Sequence, residues 1–315
     1  MRQFRGGQSN PTFLLITPSR NYVLRRKPAG QLLASAHAVD REFRVISALN
    51  RTKSVPVGVP YALCMDDSVI GTPFYVMEYV AGRVFWDASF PEVPREDRPQ
   101  YCDALVAALA SVHRVDYRAA RLEDFGKPNG YLLRQIARWA RQYEEDKQFG
   151  RVPAMERLLE WLPAHAPNDS GVAIVHGDYR SDNVIFHPTQ ARVLAILDWE
   201  LSTLGDPLAD FAYHLMMYRM PSLGVSGLAG KDLSILGIPS ERDYVEKYCL
   251  QVGRTSLPNL DFYLAFAMFR LAGIFHGICG RVTRGTAVGT RALEYSRHVA
   301  TIAELAWKQA EKTEG

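Results

Sequence analysis

The stretch that decides the fold runs Val172-Ala-Ile-Val-His176-Gly177-Asp178-Tyr179-Arg180-Ser181-Asp182-Asn183-Val-Ile-Phe186. An apolar strand enters a polar loop and leaves as a second apolar strand. A third, Val193–Leu197, ends in Asp198-Trp199-Glu200. Two carboxylates and an amide, Asp178, Asn183 and Asp198, are thereby presented at strand ends. Phosphoryl transfer needs this combination: one carboxylate to orient an attacking hydroxyl and accept its proton, and oxygen ligands to hold Mg²⁺ against nucleotide phosphates.

Asn183 follows Asp178 by five positions, the spacing of the kinase pattern Asp-x-x-x-x-Asn. The whole set resembles the aminoglycoside phosphotransferase family. That family has His-Gly-Asp, four intervening residues and Asn, then Ile-Asp-Trp/Phe-Glu downstream. This chain has His176-Gly177-Asp178, Asn183 and Ile196-Leu197-Asp198-Trp199-Glu200, then Gly205-Asp206-Pro207 with Asp210, a motif that braces the catalytic loop in the family. The resemblance spans nearly the whole chain. It implies an α+β, two-lobed protein-kinase-like fold with a small antiparallel-sheet N-lobe and a mostly helical C-lobe. It also implies ATP and Mg²⁺ as cofactors, with Asp178 as base, Asn183 and Asp198 as metal ligands, and His176 and Asp206 as supports. Arg180, two positions after the base, either neutralises γ-phosphate charge or is a surface arginine.

Short β-rich runs at Thr12–Ile16, Tyr22–Arg26, Val59–Met65 and Phe74–Val80 surround a helix over Ala36–Asn50, whose apolar stripe is Val39, Phe43, Ile46 and Leu49. Residues 1–81 read as a nucleotide-binding lobe and 82–315 as the catalytic and substrate-binding lobe, with the boundary near Ala81-Gly82-Arg83. In Phe4-Arg5-Gly6-Gly7-Gln8-Ser9-Asn10-Pro11-Thr12, Gly6, Gly7, Ser9 and Asn10 make a candidate phosphate turn, because glycines let backbone N–H groups approach an anion. Arg25 stands where kinases carry lysine. Its expected partner is Glu42, a carboxylate at the edge of an apolar stripe that needs a cation if buried. Glu78 and Val80 stand at the hinge where adenine docks in the family.

After residue 82 helices are expected at Tyr101–Val115, Tyr131–Glu145, Met155–Leu162, Pro207–Tyr218, Glu241–Val252, Leu260–Cys279 and Arg291–Lys308. The apolar stretch Phe262–Cys279 is interrupted by Arg270 and His276 and reads as a buried helix rather than a bilayer span. The net charge of the 315 residues is +3, which gives no polyanion field and argues against a nucleic-acid partner. Cys64, Cys102, Cys249 and Cys279 form no Cys-x-x-Cys pair, and the start MRQFRGG lacks a signal-peptide core; a cytoplasmic setting is expected.

Seven residues, Trp199 to Gly205, separate Asp198 from Asp206-Pro207. That leaves no room for a peptide groove, so the expected acceptor is a small hydroxylated molecule. A polycationic aminoglycoside needs acidic walls, yet Leu201 to the end holds twelve Lys/Arg and eleven Asp/Glu. Arg270, Arg281 and Arg284 cluster around the apolar helix, and Arg134, Arg138 and Arg141 line the polar face of Tyr131–Glu145, a face that is either solvated or favours an anionic or neutral ligand. The segments Phe4–Thr12 and Tyr22–Arg26 are similar to kinase-like domains fused to acyl-CoA dehydrogenases, which makes a hydroxyacyl-CoA the expected acceptor. The alternatives are an aminoglycoside kinase and a nucleotide-binding pseudokinase, the latter supported by Arg25 in place of lysine.

Overall fold

The computed structural model describes residues 1–4, 10–28, 38–283 and 291–313, with 281–283 and 291–293 described by backbone alone. Five strands, β1 (Arg2–Gln3), β2 (Thr12–Ile16), β3 (Asn21–Arg26), β4 (Pro60–Cys64) and β5 (Phe74–Glu78), form one antiparallel sheet in the order β1-β2-β3-β5-β4. Helix α1 (Val39–Thr52) packs on it through Val45, Ile46, Ala48 and Leu49. The expected start of that helix at Ala36 lies outside the described residues. Register explains the chemistry of this interface. Arg25 pairs with Thr12 on one side and Tyr75 on the other. Cross-strand partners share a face, so these three side chains form one row, and α1 presents Glu42 to it.

Residue 82 is pressed against the next unit. A Cβ on Gly82 would stand 2.2 Å from the Phe186 carbonyl oxygen, and Arg83 exchanges two backbone hydrogen bonds with Phe186 (2.9 and 2.8 Å). Beyond it the chain is mostly helical: α2 (Arg98–His113), α3 (Tyr131–Glu145), α4 (Pro153–His165), and, after the strands, α5 (Pro207–Leu215), α6 (Leu233–Leu236), α7 (Glu241–Val252), α8 (Leu260–Thr283) and α9 (Arg291–Ala310). Two small ladders lie among them. β6 (Ala173–Val175) pairs with β9 (Thr203–Gly205), and β7 (Val184–Phe186) pairs with β8 (Val193–Ile196).

The α3 and α7 bounds match the sequence reading, whereas the expected helix over 207–218 gives way to a tighter turn after Leu215. Strands β1 and β9 escaped that reading: two or three residues carry no periodicity. Within α8, Leu260–Gly280 is long and apolar enough to cross a membrane, yet 89% of its apolar 18-residue window is buried inside the fold. It is the central core helix and packs against α9, α5, α3 and α4.

His214 on α5 is buried, with its Nε2 2.6 Å from the Tyr244 hydroxyl. Burial pushes its pKa down to about 4 from 6.5. The folded state therefore resists a proton that the unfolded chain takes up, so stability should fall as pH drops from about 6.5 towards 4, by on the order of 3 kcal/mol. Urea midpoints measured across that range should show the slope, and His214→Gln should flatten it; equal slopes in both proteins would refute the assignment.

Candidate active site

The loop after β6 is held by one carboxylate. Asp210, buried on α5, accepts from the His176 N–H (2.7 Å) and the Gly177 N–H (2.8 Å). Burial works against this charge, but His113 (Nε2 at 3.1 Å), His176 and the Gly177 amide outweigh it and keep the carboxyl below its ordinary pKa. Gly177 has φ of +86°, and a Cβ there would lie 2.7 Å from the Leu201 carbonyl oxygen, so only glycine fits. The His176 Nε2 lies 2.7 Å from the Leu197 carbonyl oxygen. A carbonyl only accepts, so Nε2 carries the proton, and Nδ1 accepts from the Asp178 N–H at 3.2 Å. His176 thus ties the loop of Asp178 to the strand end that carries Asp198.

Asp206 has a different task. It accepts from the Leu208 N–H (2.8 Å), capping α5, from the Ser170 N–H (2.8 Å) and hydroxyl, and from the Tyr263 hydroxyl (2.7 Å). It braces the approach to β6 and the start of α5, while Asp210 grips the catalytic loop itself.

Asn183 donates its side-chain amide to the Asp178 main-chain carbonyl (2.8 Å) and to Asp178 Oδ2 (3.1 Å). Its side-chain carbonyl oxygen remains as a ligand atom. The Leu197 N–H donates to the Asn183 carbonyl at 2.8 Å, which sets Asp198 beside it. Asp198 itself turns in the left-handed region, φ 63°. Arg180 is no free surface arginine: its Nη2 donates to Asp182 Oδ2 (2.9 Å) and its Nε lies 3.6 Å from Asp178 Oδ1. Burial penalises the Arg180 cation, and Asp178 and Asp182 more than reverse that.

Arg25 is the hub of the facing wall. Its Nε lies 2.8 Å from Glu42 Oε2, a close ionic approach without hydrogen-bond alignment. Its Nη2 lies 2.6 Å from Asp198 Oδ1 and 3.5 Å from Glu200 Oε2. Glu42 is buried and also accepts from Asn10 Nδ2 (2.7 Å) and the Tyr75 hydroxyl (2.9 Å). Burial pushes the Glu42 carboxyl up and the Arg25 charge acts against it. Arg25 is held firmly protonated, because Glu42 and Asp198 overcome its own burial cost. Gly6, Gly7 and Ser9 lie outside the described residues. At the hinge, the Glu78 N–H is spent inside the sheet on the Val59 carbonyl (2.8 Å), and its Oε2 accepts the Val59 N–H (3.0 Å); Val80 is half-buried just past the strand.

The cleft thus gathers five carboxylates, Glu42, Asp178, Asp182, Asp198 and Glu200, around two guanidinia. Such an excess of hard oxygen charge suits a divalent cation. Among the described residues no group of three or more His, Cys, Asp or Glu is arranged to hold a metal alone. Asn183 and Asp198 fit an Mg²⁺ that keeps water and phosphate oxygens in its other positions.

Two residues of the site were not foreseen. Arg270 on α8 is buried, donates to the Gly177 carbonyl and lies over the Tyr213 ring at 4.6 Å. Tyr213 is buried; burial first, and then the Asp178 charge, push its pKa up. The signal for Arg270 was a single cation inside an apolar helix. Tyr213 gave none. Of the other arginines proposed around α8, Arg284 and the side chain of Arg281 lie outside the described residues.

Residues 1–231 match the family model described as the phosphotransferase enzyme family. Acyl-CoA dehydrogenase family member 10 of Mus musculus is 45% identical over 312 residues, covering 98% of this chain and 29% of the mouse protein. The chain spans between 29% and 40% of the length of the curated relatives it matches. A crystal structure from Ralstonia eutropha, provisionally described as an aminoglycoside phosphotransferase, is 48% identical with a TM-score of 0.89, covering 99% of this chain and 92% of that one. A thermostable aminoglycoside phosphotransferase solved with AMP-PNP and hygromycin B shares 14% identity at a TM-score of 0.64, over 98% of this chain and 92% of that one, a likeness of fold alone. Motif, geometry and these matches agree: the chain belongs to the phosphotransferase enzyme family and has its two-lobed kinase-like fold.

Proposed function

We propose that this protein transfers the γ-phosphate of ATP to a hydroxyl group of a small molecule. The observation that carries this reading is the Asp178–Asn183–Asp198 arrangement. The Asn183 side chain holds the candidate base, its main-chain carbonyl accepts the Leu197 N–H beside the candidate metal ligand, and Arg25 closes the nucleotide side. The solved relative holding AMP-PNP supports nucleotide use.

In this reading Asn183 and Asp198 hold Mg²⁺, which when bound draws charge from the nucleotide phosphates. Arg25, kept rigid by Glu42, faces the nucleotide from the sheet side. Asp178 takes the proton from the acceptor hydroxyl, and the freed oxygen bonds to the γ-phosphorus. The bond from that phosphorus to the bridging oxygen breaks, and ADP keeps its electron pair. Arg180, next to Asp178, balances charge on the moving phosphoryl group, and Asp182 fixes its fork. The acceptor we favour is a hydroxyacyl-CoA, on the likeness to the acyl-CoA dehydrogenase family members. The Ralstonia relative's description favours an aminoglycoside instead.

Incubation with Mg-ATP and either 4-hydroxyacyl-CoA or kanamycin separates the two: ADP should appear with the thioester, and release with kanamycin alone would contradict the preferred acceptor. Asp178→Ala should lower kcat by about 10²–10⁴ with nucleotide binding retained; undiminished turnover would remove Asp178 from its role. Asp198→Ala should weaken Mg-ATP binding in calorimetry. Arg25→Lys replaces a planar fork that bridges Glu42 and Asp198 with a point charge. Loss of one charge-assisted contact should raise the KM for ATP by about tenfold or more, and an unchanged KM would place Arg25 outside nucleotide binding.

A further inference from the structure

Arg270 poses a problem of charge. It is only 5% exposed, yet among the described residues no carboxylate pairs with it. Its Nη2 donates to the Gly177 carbonyl, its Nε has no hydrogen-bond partner, and otherwise it meets aromatic faces: Tyr213 at 4.6 Å and Trp139 at 5.3 Å. A buried cation without a counter-charge is costly. π faces return part of that.

A second arginine shares the place. Arg138 on α3 also lies 5.3 Å from the Trp139 ring centroid, so the two guanidinia are no more than twice that distance apart. Arg138 is solvent-exposed and likewise has no carboxylate partner among the described residues. Partial burial, and then the charge of Arg270, push its pKa down; the two cations repel. Elsewhere in the cleft each guanidinium has its carboxylates, Arg25 three and Arg180 two.

We propose that Arg138 and Arg270 form an anion subsite that receives a phosphate ester carried by the acceptor, away from the hydroxyl that is phosphorylated. The exposed planar fork of Arg138 matches phosphate geometry, and Arg270 adds a second positive charge beside it. The position suits an acceptor: Arg270 holds the carbonyl of Gly177, the residue before Asp178, and covers the ring of Tyr213. Arg25 and Asp198 take the nucleotide side. The inference rests on the phosphotransferase reading above and sharpens its acceptor class: a phosphate-bearing molecule fits, and a polycation is repelled.

The test compares two acceptors with one hydroxyacyl group, the CoA thioester and the pantetheine thioester that lacks phosphate, at saturating Mg-ATP. The wild type should favour the CoA form in kcat/KM by about tenfold or more, and Arg138→Ala should erase most of that ratio. Arg138 is exposed, so this variant avoids the folding risk of Arg270→Ala. Equal kcat/KM for the two acceptors, or a ratio untouched by Arg138→Ala, would overturn the subsite. If neither thioester is phosphorylated, the acceptor reading has failed and the subsite is judged by calorimetry. Adenosine 3′,5′-bisphosphate is then titrated into protein saturated with Mg-AMP-PNP, alongside inorganic phosphate. Binding of the bisphosphate that is lost in Arg138→Ala keeps the subsite; no binding, binding indifferent to Arg138, or binding of inorganic phosphate alone sinks it.

Discussion

A single buried guanidinium joins the parts of this protein. Arg25 reaches from the sheet to Glu42 on α1 and to Asp198 beyond β8, 173 positions away in sequence. A cation in that place is tolerable only if its partners come with it. Register puts Thr12, Arg25 and Tyr75 in one row; the amphipathic α1 turns Glu42 to that row; and the β7–β8 ladder delivers Asp198. If any of these elements shifts, charges are stranded. The same contact that orders the cleft occupies a candidate metal ligand, so in the proposed reaction a metal and a nucleotide would share Asp198 and Arg25 with a pre-existing ion pair.

A second constraint acts on the base. Asp210 uses both carboxylate oxygens on consecutive amides, His176 and Gly177. Gly177 supplies the positive φ that this geometry demands. His176 then locks the loop to the Leu197 carbonyl. Asp178 thereby becomes the end of a rigid lever whose supports lie in the core, with Asn183 contacting its carboxylate. Pre-organisation of this kind lets a carboxylate act without first being rearranged.

Much of this was legible in the sequence. Helix α3, which has a strong stripe, was read to both ends, because burying one face forces a 3.6-residue period. The Asp178, Asn183 and Asp198 set was visible because a short loop and strand ends fix their spacing. Contacts made across the fold were harder to see. Glu42 stood out as the expected partner of Arg25, but its partnership with Tyr75 and Asn10 depends on register. Arg270 read as one of a cluster of arginines around a buried helix, and its hold on the Gly177 carbonyl could not be seen. Tyr213 and His113 left no trace, since a tyrosine or histidine on a buried helix face is as consistent with plain packing. The division of labour between Asp206 and Asp210 needed coordinates too.

The central claim is that the cleft moves a phosphoryl group from ATP to an alcohol. ³¹P NMR of the protein with Mg-ATP and a hydroxyacyl-CoA tests it most directly. The account predicts a new phosphate monoester resonance growing in step with ADP. Inorganic phosphate as the only new signal, or ATP left intact, would contradict it.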